Sequence, residues 1–214
     1  MQCKFSIQKG LNIIIKKEEI LDAAIDLFAE YGVMDVCVKK IAIKSNVSRS
    51  NVYYHFKKGK DEIIENIFNM FSELLLKNVK TIMERMNANI DADSIVTSLF
   101  LIFDEEDSIK GRKICKIIFA DHAYNKKIGD FLLEMFFKKR EARYCQIFDM
   151  LIINGKVKPF DSEAAARMLC KMFVAFALED TFLYPFECKK APPHYEYLRK
   201  DCLHIINHIL NGTF

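Results

Sequence analysis

Glycine and proline are scarce, at 7 and 4 of 214 residues, too few for a loop-rich chain and compatible with long helices. No alternating apolar and polar run is long enough to build a sheet, and no internal repeat is present, so the expected class is all-α. Seven cysteines lie scattered at 3, 37, 115, 145, 170, 188 and 202 without a Cys-x-x-Cys pair, and an odd number outside a small secreted domain implies reduced thiols. No apolar stretch reaches the length of a membrane span, since Lys171 interrupts the longest, Met168 to Leu178. Met1 to Asn12 lacks the apolar core of a signal peptide, which makes the expected location cytoplasmic and the membrane no partner. There is no Gly-x-Ser-x-Gly elbow, no phosphate-cradling glycine loop and no paired metal motif, so neither an enzyme nor a cofactor is expected.

What is present is concentrated between Val38 and Phe56. Val38, Ile41 and Ala42 share one helical face, and Ala42 is small enough to let a second helix cross closely. Ser45-Asn46 breaks that helix, Asn tolerating the left-handed backbone of a tight turn. Ser48 is a good N-cap, able to accept from the backbone N–H of Ser50 or Asn51. Val47, Val52 and Phe56 anchor the second helix and leave Arg49, Ser50, Asn51, Tyr53 and His55 facing outward. From Val33 to Lys60 seven basic residues stand against the single acid Asp35, a net of +6, whereas from Asp61 onward 21 bases and 23 acids give −2. A basic helix-turn-helix suits a polyanion such as double-stranded DNA.

Lys16 to Ile64 resembles the DNA-binding domain of the TetR family of bacterial transcriptional regulators. The likeness rests on an amphipathic helix from Ile20 to Tyr31 closed by Gly32, then on Ile41-Ala42, Asn46-Val47-Ser48 and Val52-Tyr53-Tyr54-His55-Phe56. Asn46 replaces the usual turn glycine, Cys37 stands where a capping Thr is common, Ser50-Asn51 replaces Gly-Thr, and Lys57-Lys58-Gly59-Lys60 carries one extra residue that Gly59 could absorb as a bulge. The resemblance implies that Arg49, Asn51 and Ser50 face bases. It also implies that Lys39, Tyr53, His55 and Lys60 contact the DNA backbone, with Lys57 or Lys58 as rivals to Lys60. Ser48 and Tyr54 complete the contact set; Tyr53 and Tyr54 are expected to divide, one ring toward the core and one toward phosphate, and His55 could equally pack beside Phe56.

The expected organisation is an N-terminal extension (1–15), a helix-turn-helix domain (16–62) and a helical effector-binding and dimerisation domain (63–214). Helices are predicted over Asp61–Asn87, from Asp93 or Ser94 through Phe103, and over Lys113–Asp121, Ile128–Asn154, Glu163–Tyr184 and Tyr195–Leu210. The last two are apolar around much of their circumference, which calls for a second partner. Met168, Met172, Leu183, Leu198, Cys202, Ile205 and Ile209 are the candidate homodimer face, and the family likeness implies the same four-helix contact. It also implies a small-molecule effector pocket, for which Phe100, Phe103, Phe119, Phe148, Phe173 and Phe176 are candidate apolar lining and His122, Tyr124 and Glu179 candidate polar contacts. The function so implied is a ligand-responsive repressor of a near-palindromic operator. Its alternatives are a cysteine-based redox regulator, with Cys188 near Pro185 and Pro192 as one exposed candidate, and a helical interaction module that meets acidic partners through lysine. His204 and His208 have metal-ligand spacing near Cys202, but their neighbours look like a dimer face, so no metal is expected.

Overall fold

The computed structural model describes the backbone of residues 2–86, 92–97, 108–183 and 194–211, and the side chains of 16–73, 92–97, 109–179, 181–183, 196, 197 and 199–211. Among the described residues every regular element is helical. The elements are α1 (Gln2–Tyr31), α2 (Val38–Lys44), α3 (Arg49–His55), α4 (Lys60–Met86), a short α5 (92–97), α6 (Ser108–Asp121), α7 (Lys126–Leu132), a π-helical segment (Leu133–Lys138), α8 (Lys139–Ile153), α9 (Ser162–Leu183) and α10 (His194–Asn211). No helix among the described residues is long and apolar enough to cross a membrane. Packing divides the chain into two compact units, Met1–Phe71 and Ser72–Phe214, and α4 runs without a break through the division.

In the first unit, α1 buries Ile20, Ala24, Leu27 and Phe28 at the expected helical spacing, and Gly32 closes it with φ +80° and an N–H bond to the Phe28 carbonyl. The helix begins at Gln2, well before the Ile20 start of the sequence pattern. Tyr31 departs from the expected stripe: it is half exposed, with the Lys40 ammonium 5.5 Å from its ring centroid. As the last residue of α1 it has no following turn to cover it. Helix α4 supplies Ile63, Ile64, Ile67, Phe68 and Phe71 to the same core. The expected continuation of that stripe through Leu75, Val79, Ile82 and Met86 lies outside the described side chains.

In the second unit, α9 packs against both α6 and α8. Ile114, Cys115, Ile117 and Ile118 of α6, Phe148 and Leu151 of α8, and Ala166, Leu169, Phe173 and Ala177 of α9 form its interior. The predicted helix Lys113–Asp121 starts earlier, at Ser108. The predicted helix Ile128–Asn154 starts at Lys126, after Asn125 accepts from the backbone N–H groups of Lys127 and Ile128, and is interrupted by the π-helical segment around buried Phe136. Asp161 caps α9 by accepting from the Ala164 N–H at 2.9 Å. Arg199 of α10 reaches Thr97 at 3.0 Å and Asp93 at 3.4 Å, both on α5. The rest of the helix predicted through Phe103 lies outside the described residues.

Thr181 of α9 is buried, and its hydroxyl has no hydrogen-bond partner among the described residues. Leaving such a group unpaired costs about 1–3 kcal/mol. Thr181→Val, nearly isosteric, should therefore stabilise the protein by about 1 kcal/mol, measured as a raised denaturation midpoint with unchanged slope.

Candidate nucleic-acid interface

The turn between α2 and α3 is built from backbone hydrogen bonds. Ser45 N–H bonds to Ile41 O at 2.9 Å, Asn46 N–H to Ile43 O at 3.2 Å and Val47 N–H to Ala42 O at 3.0 Å. Asn46 takes φ +52°, the left-handed conformation expected of it, and no other non-glycine residue among those described has positive φ. Ser48 then caps α3: its Oγ accepts from Asn51 N–H at 3.1 Å and lies 2.9 Å from Ser50 Oγ. Ile41, Val52 and Phe56 are fully buried and Val38 and Ala42 nearly so.

That packing sets the outer face. Lys39, Ser48, Arg49, Ser50, Tyr53 and Tyr54 are exposed, and Asn51 and His55 are intermediate. The Arg49 guanidinium lies 5.7 Å from the Tyr53 ring centroid, within cation–π range. Both tyrosines are exposed, at 39% for Tyr53 and 67% for Tyr54, so the expected division between core and surface does not occur. Val52 and Phe56, one turn apart, already fill the inward positions.

Lys60 is placed differently from a free phosphate clamp. Its ammonium donates to the Val33 carbonyl at 2.8 Å, tying the start of α4 to the turn before α2, while Lys57 and Lys58 stand exposed. Gly59 absorbs the extra residue with φ +60°, and a Cβ there would come within 3.1 Å of the Tyr53 ring. Lys44 pairs with Asp26 at 3.3 Å and Lys40 donates to the Asp35 carbonyl at 3.1 Å, so part of the basic patch is spent on the fold. The patch read from Val33 to Lys60 omits Lys16 and Lys17. Lys17 lies 5.7 Å from the Phe56 ring centroid, and both lysines act electrostatically on His55. A lysine pair just before Ile20 was the available signal.

Of the candidate effector residues, Phe119, Phe148, Phe173 and Phe176 are buried, and Phe119, Phe136 and Phe173 form a continuous ring cluster with centroid spacings of 5.5 and 6.0 Å. His122, Tyr124 and Glu179 are exposed, His122 with its Nδ1 2.8 Å from the Phe119 carbonyl, so these polar candidates do not join the buried rings. Phe100, Phe103 and Cys188 lie outside the described residues. On the candidate dimer face, Met168 and Leu183 are exposed and Met172 and Ile205 intermediate, whereas Cys202 and Ile209 are buried within the chain's own fold. The Leu198 side chain lies outside those described. Burial pushes the Cys170 and Cys202 thiols up to about 11. No group of three or more His, Cys, Asp or Glu suited to a metal occurs among the described residues, and buried Cys202 is separated in exposure from His204.

Two consequences are measurable. Cys37 occupies the N-cap of α2 in extended geometry but makes no side-chain cap, so Cys37→Ser should add about 0.5–1 kcal/mol of stability in denaturant unfolding. His55 titrates below its usual 6.5 because burial, then Lys16 and Lys17, disfavour the imidazolium. The unfolded chain therefore takes up this proton first as pH falls. Stability attributable to His55 is intact above 6.5 and declines below it toward the folded-state value, and His55→Gln should flatten that part of a stability–pH profile.

Residues 20–67 match the family model described as bacterial regulatory proteins, tetR family. The negative transcriptional regulator IcaR of the Staphylococcus epidermidis biofilm operon icaADBC is 29% identical over 123 residues, covering 56% of this chain and 62% of that protein, so the match spans less than two thirds of its length. The transcriptional repressor KstR2 of Mycolicibacterium smegmatis is 23% identical over 148 residues, covering 67% and 68%. The fold is that of Salmonella enterica GusR, with a TM-score of 0.67 at 20% identity over 91% of this chain and 95% of that one. The capped α3 and the left-handed turn thus lie inside the segment that is similar to the tetR family of bacterial regulatory proteins, and the fold of the chain is similar to that of solved regulators.

Proposed function

We propose that the protein is a dimeric, ligand-responsive transcriptional repressor that binds a near-palindromic operator and is released by a small effector with an apolar or aromatic body. The observation that carries the DNA-binding part is the outer face of α3, where Arg49, Ser50 and Tyr54 are exposed beside the capping Ser48. Arg49 suits the acceptor edge of guanine and Asn51 the mixed edge of adenine, while Lys39, Lys57 and Lys58 suit phosphate. His55, half-buried beside Phe56, could reach phosphate as a hydrogen-bond donor.

Dimerisation is supported by the exposed Met168, Leu178, Phe182 and Leu183 along α9, apolar surface that a second copy would cover. A two-fold dimer presents two α3 helices to half-sites one helical turn apart. The effector part rests on the Phe119–Phe136–Phe173 cluster, with α4 as the lever. Ligand and operator would be coupled reciprocally by about 1–3 kcal/mol.

A cysteine-based response remains the second reading, now resting on Cys37. This thiol is exposed, and the backbone N–H of Lys40, which approaches it without closing a cap hydrogen bond, holds it below the ordinary thiol range against the opposing effect of desolvation, with Lys39 adding a smaller pull in the same direction. Alkylation that leaves operator affinity unchanged would dismiss it.

Duplexes selected from a random pool should share a palindrome. On that site Arg49→Ala and Asn51→Ala should each cost about 1–3 kcal/mol, roughly 5- to 150-fold, with a much smaller loss on random DNA. Equal losses on both DNAs, read by fluorescence anisotropy, would show that neither residue reads bases.

A further inference from the structure

Helix α8 carries Arg140 and Arg143 one turn apart, hence on neighbouring positions of one face. The Arg140 guanidinium lies 3.6 Å from the ring centroid of Phe173 and 5.8 Å from that of Phe136. Stacking occupies the face of the guanidinium and leaves its in-plane N–H donors available at the edge. Arg143 is half-buried, and its guanidinium is held below the usual arginine range by burial first, then by the charge of Arg140, against a smaller opposing effect of Tyr144. Among the described residues neither arginine has a carboxylate partner. The surrounding acids are engaged elsewhere: Glu134 with Lys138 and Lys139, Glu141 and Glu163 with Arg167, and Asp149 with Ser162.

Two like charges one turn apart, partly desolvated and with no counter-charge among the described residues, are unfavourable unless something anionic joins them. Directly beside them is the ring cluster of Phe119, Phe136 and Phe173, with Phe136 carried on the π-helical segment, a distortion often found at functional sites. We propose that Arg140 and Arg143 seat the oxyanion, carboxylate or phosphate, of an amphipathic small molecule whose apolar body lies next to the Phe136–Phe173 wall. The proposal rests on the effector-binding reading of this unit and narrows it: the effector is an apolar anion rather than a neutral apolar compound.

The test uses the full chain and three ten-carbon probes, decanoate, decyl phosphate and 1-decanol, by calorimetry and thermal shift. Either anion should bind about tenfold or more tighter than the alcohol, and the better of the two identifies the oxyanion. Arg140→Met and Arg143→Met should each remove most of that preference. Unchanged operator affinity of the double variant without probe serves as the control for folding. Equal responses to anions and alcohol, including no response to any, overturn the proposal, as does an anion preference that survives in the folded double variant. Anion binding through the arginines that leaves operator affinity unchanged upholds the seat and removes the release step from the proposed function.

Discussion

The outer face of α3 depends on one backbone conformation, the left-handed turn at Asn46. Only there does the chain reverse soon enough for Val47 N–H to reach the Ala42 carbonyl and for Ser48 to arrive in extended geometry as the cap of α3. A β-branched residue at that position would meet steric cost of about 1–2 kcal/mol, enough to compete with the cap itself. Once the turn is made, the four-residue spacing of Val52 and Phe56 directs both into the core, and the remaining side chains of a seven-residue helix have nowhere to face but outward. Their exposure follows from the geometry of the turn and is not a separate property of each residue.

The second unit is organised by α9, which shares its buried surface between α6 and α8. Such a helix needs apolar residues over more than one stripe, which explains why its sequence is apolar around much of its circumference. Part of that surface is satisfied within the chain, and the part that is not, Met168, Leu178, Phe182 and Leu183, lies exposed. The buried thiols on α9 and α10, Cys170 and Cys202, stay protonated and behave as small apolar groups.

The reading unit was legible in the sequence because its determinants are local: a cap, a turn residue, a spacing of four and a glycine placed to absorb an extra residue. Positions that depend on partners distant in sequence were less so. Nothing near Lys60 indicates that its ammonium will reach the Val33 carbonyl, and nothing near Tyr31 indicates that Lys40 will cover its ring in place of the core. Likewise the chemistry of His122, Tyr124 and Glu179 suits a polar ligand contact, but their exposure is decided by which way the helices around them turn within the bundle. The apolar sequence of α10 does not tell an outward face from an inward one, and Cys202 and Ile209 are buried in the stripe that attaches α10 to its own unit.

The π-helical segment carries information that a helix prediction over the whole rod discards. At about 100° per residue, an unbroken α-helix would point Ile128 and the group Tyr144, Ile147, Phe148 and Leu151 roughly 150° apart. All five are buried. The wider turn at Leu133–Lys138 takes up about one additional residue and rotates the later group back by roughly 100°, bringing the two within about 50° of each other on one face of the rod. The segment is thus a phase corrector, and the one place in the rod where the chain could shed a residue, reverting to regular α-helix, without turning either end out of the core.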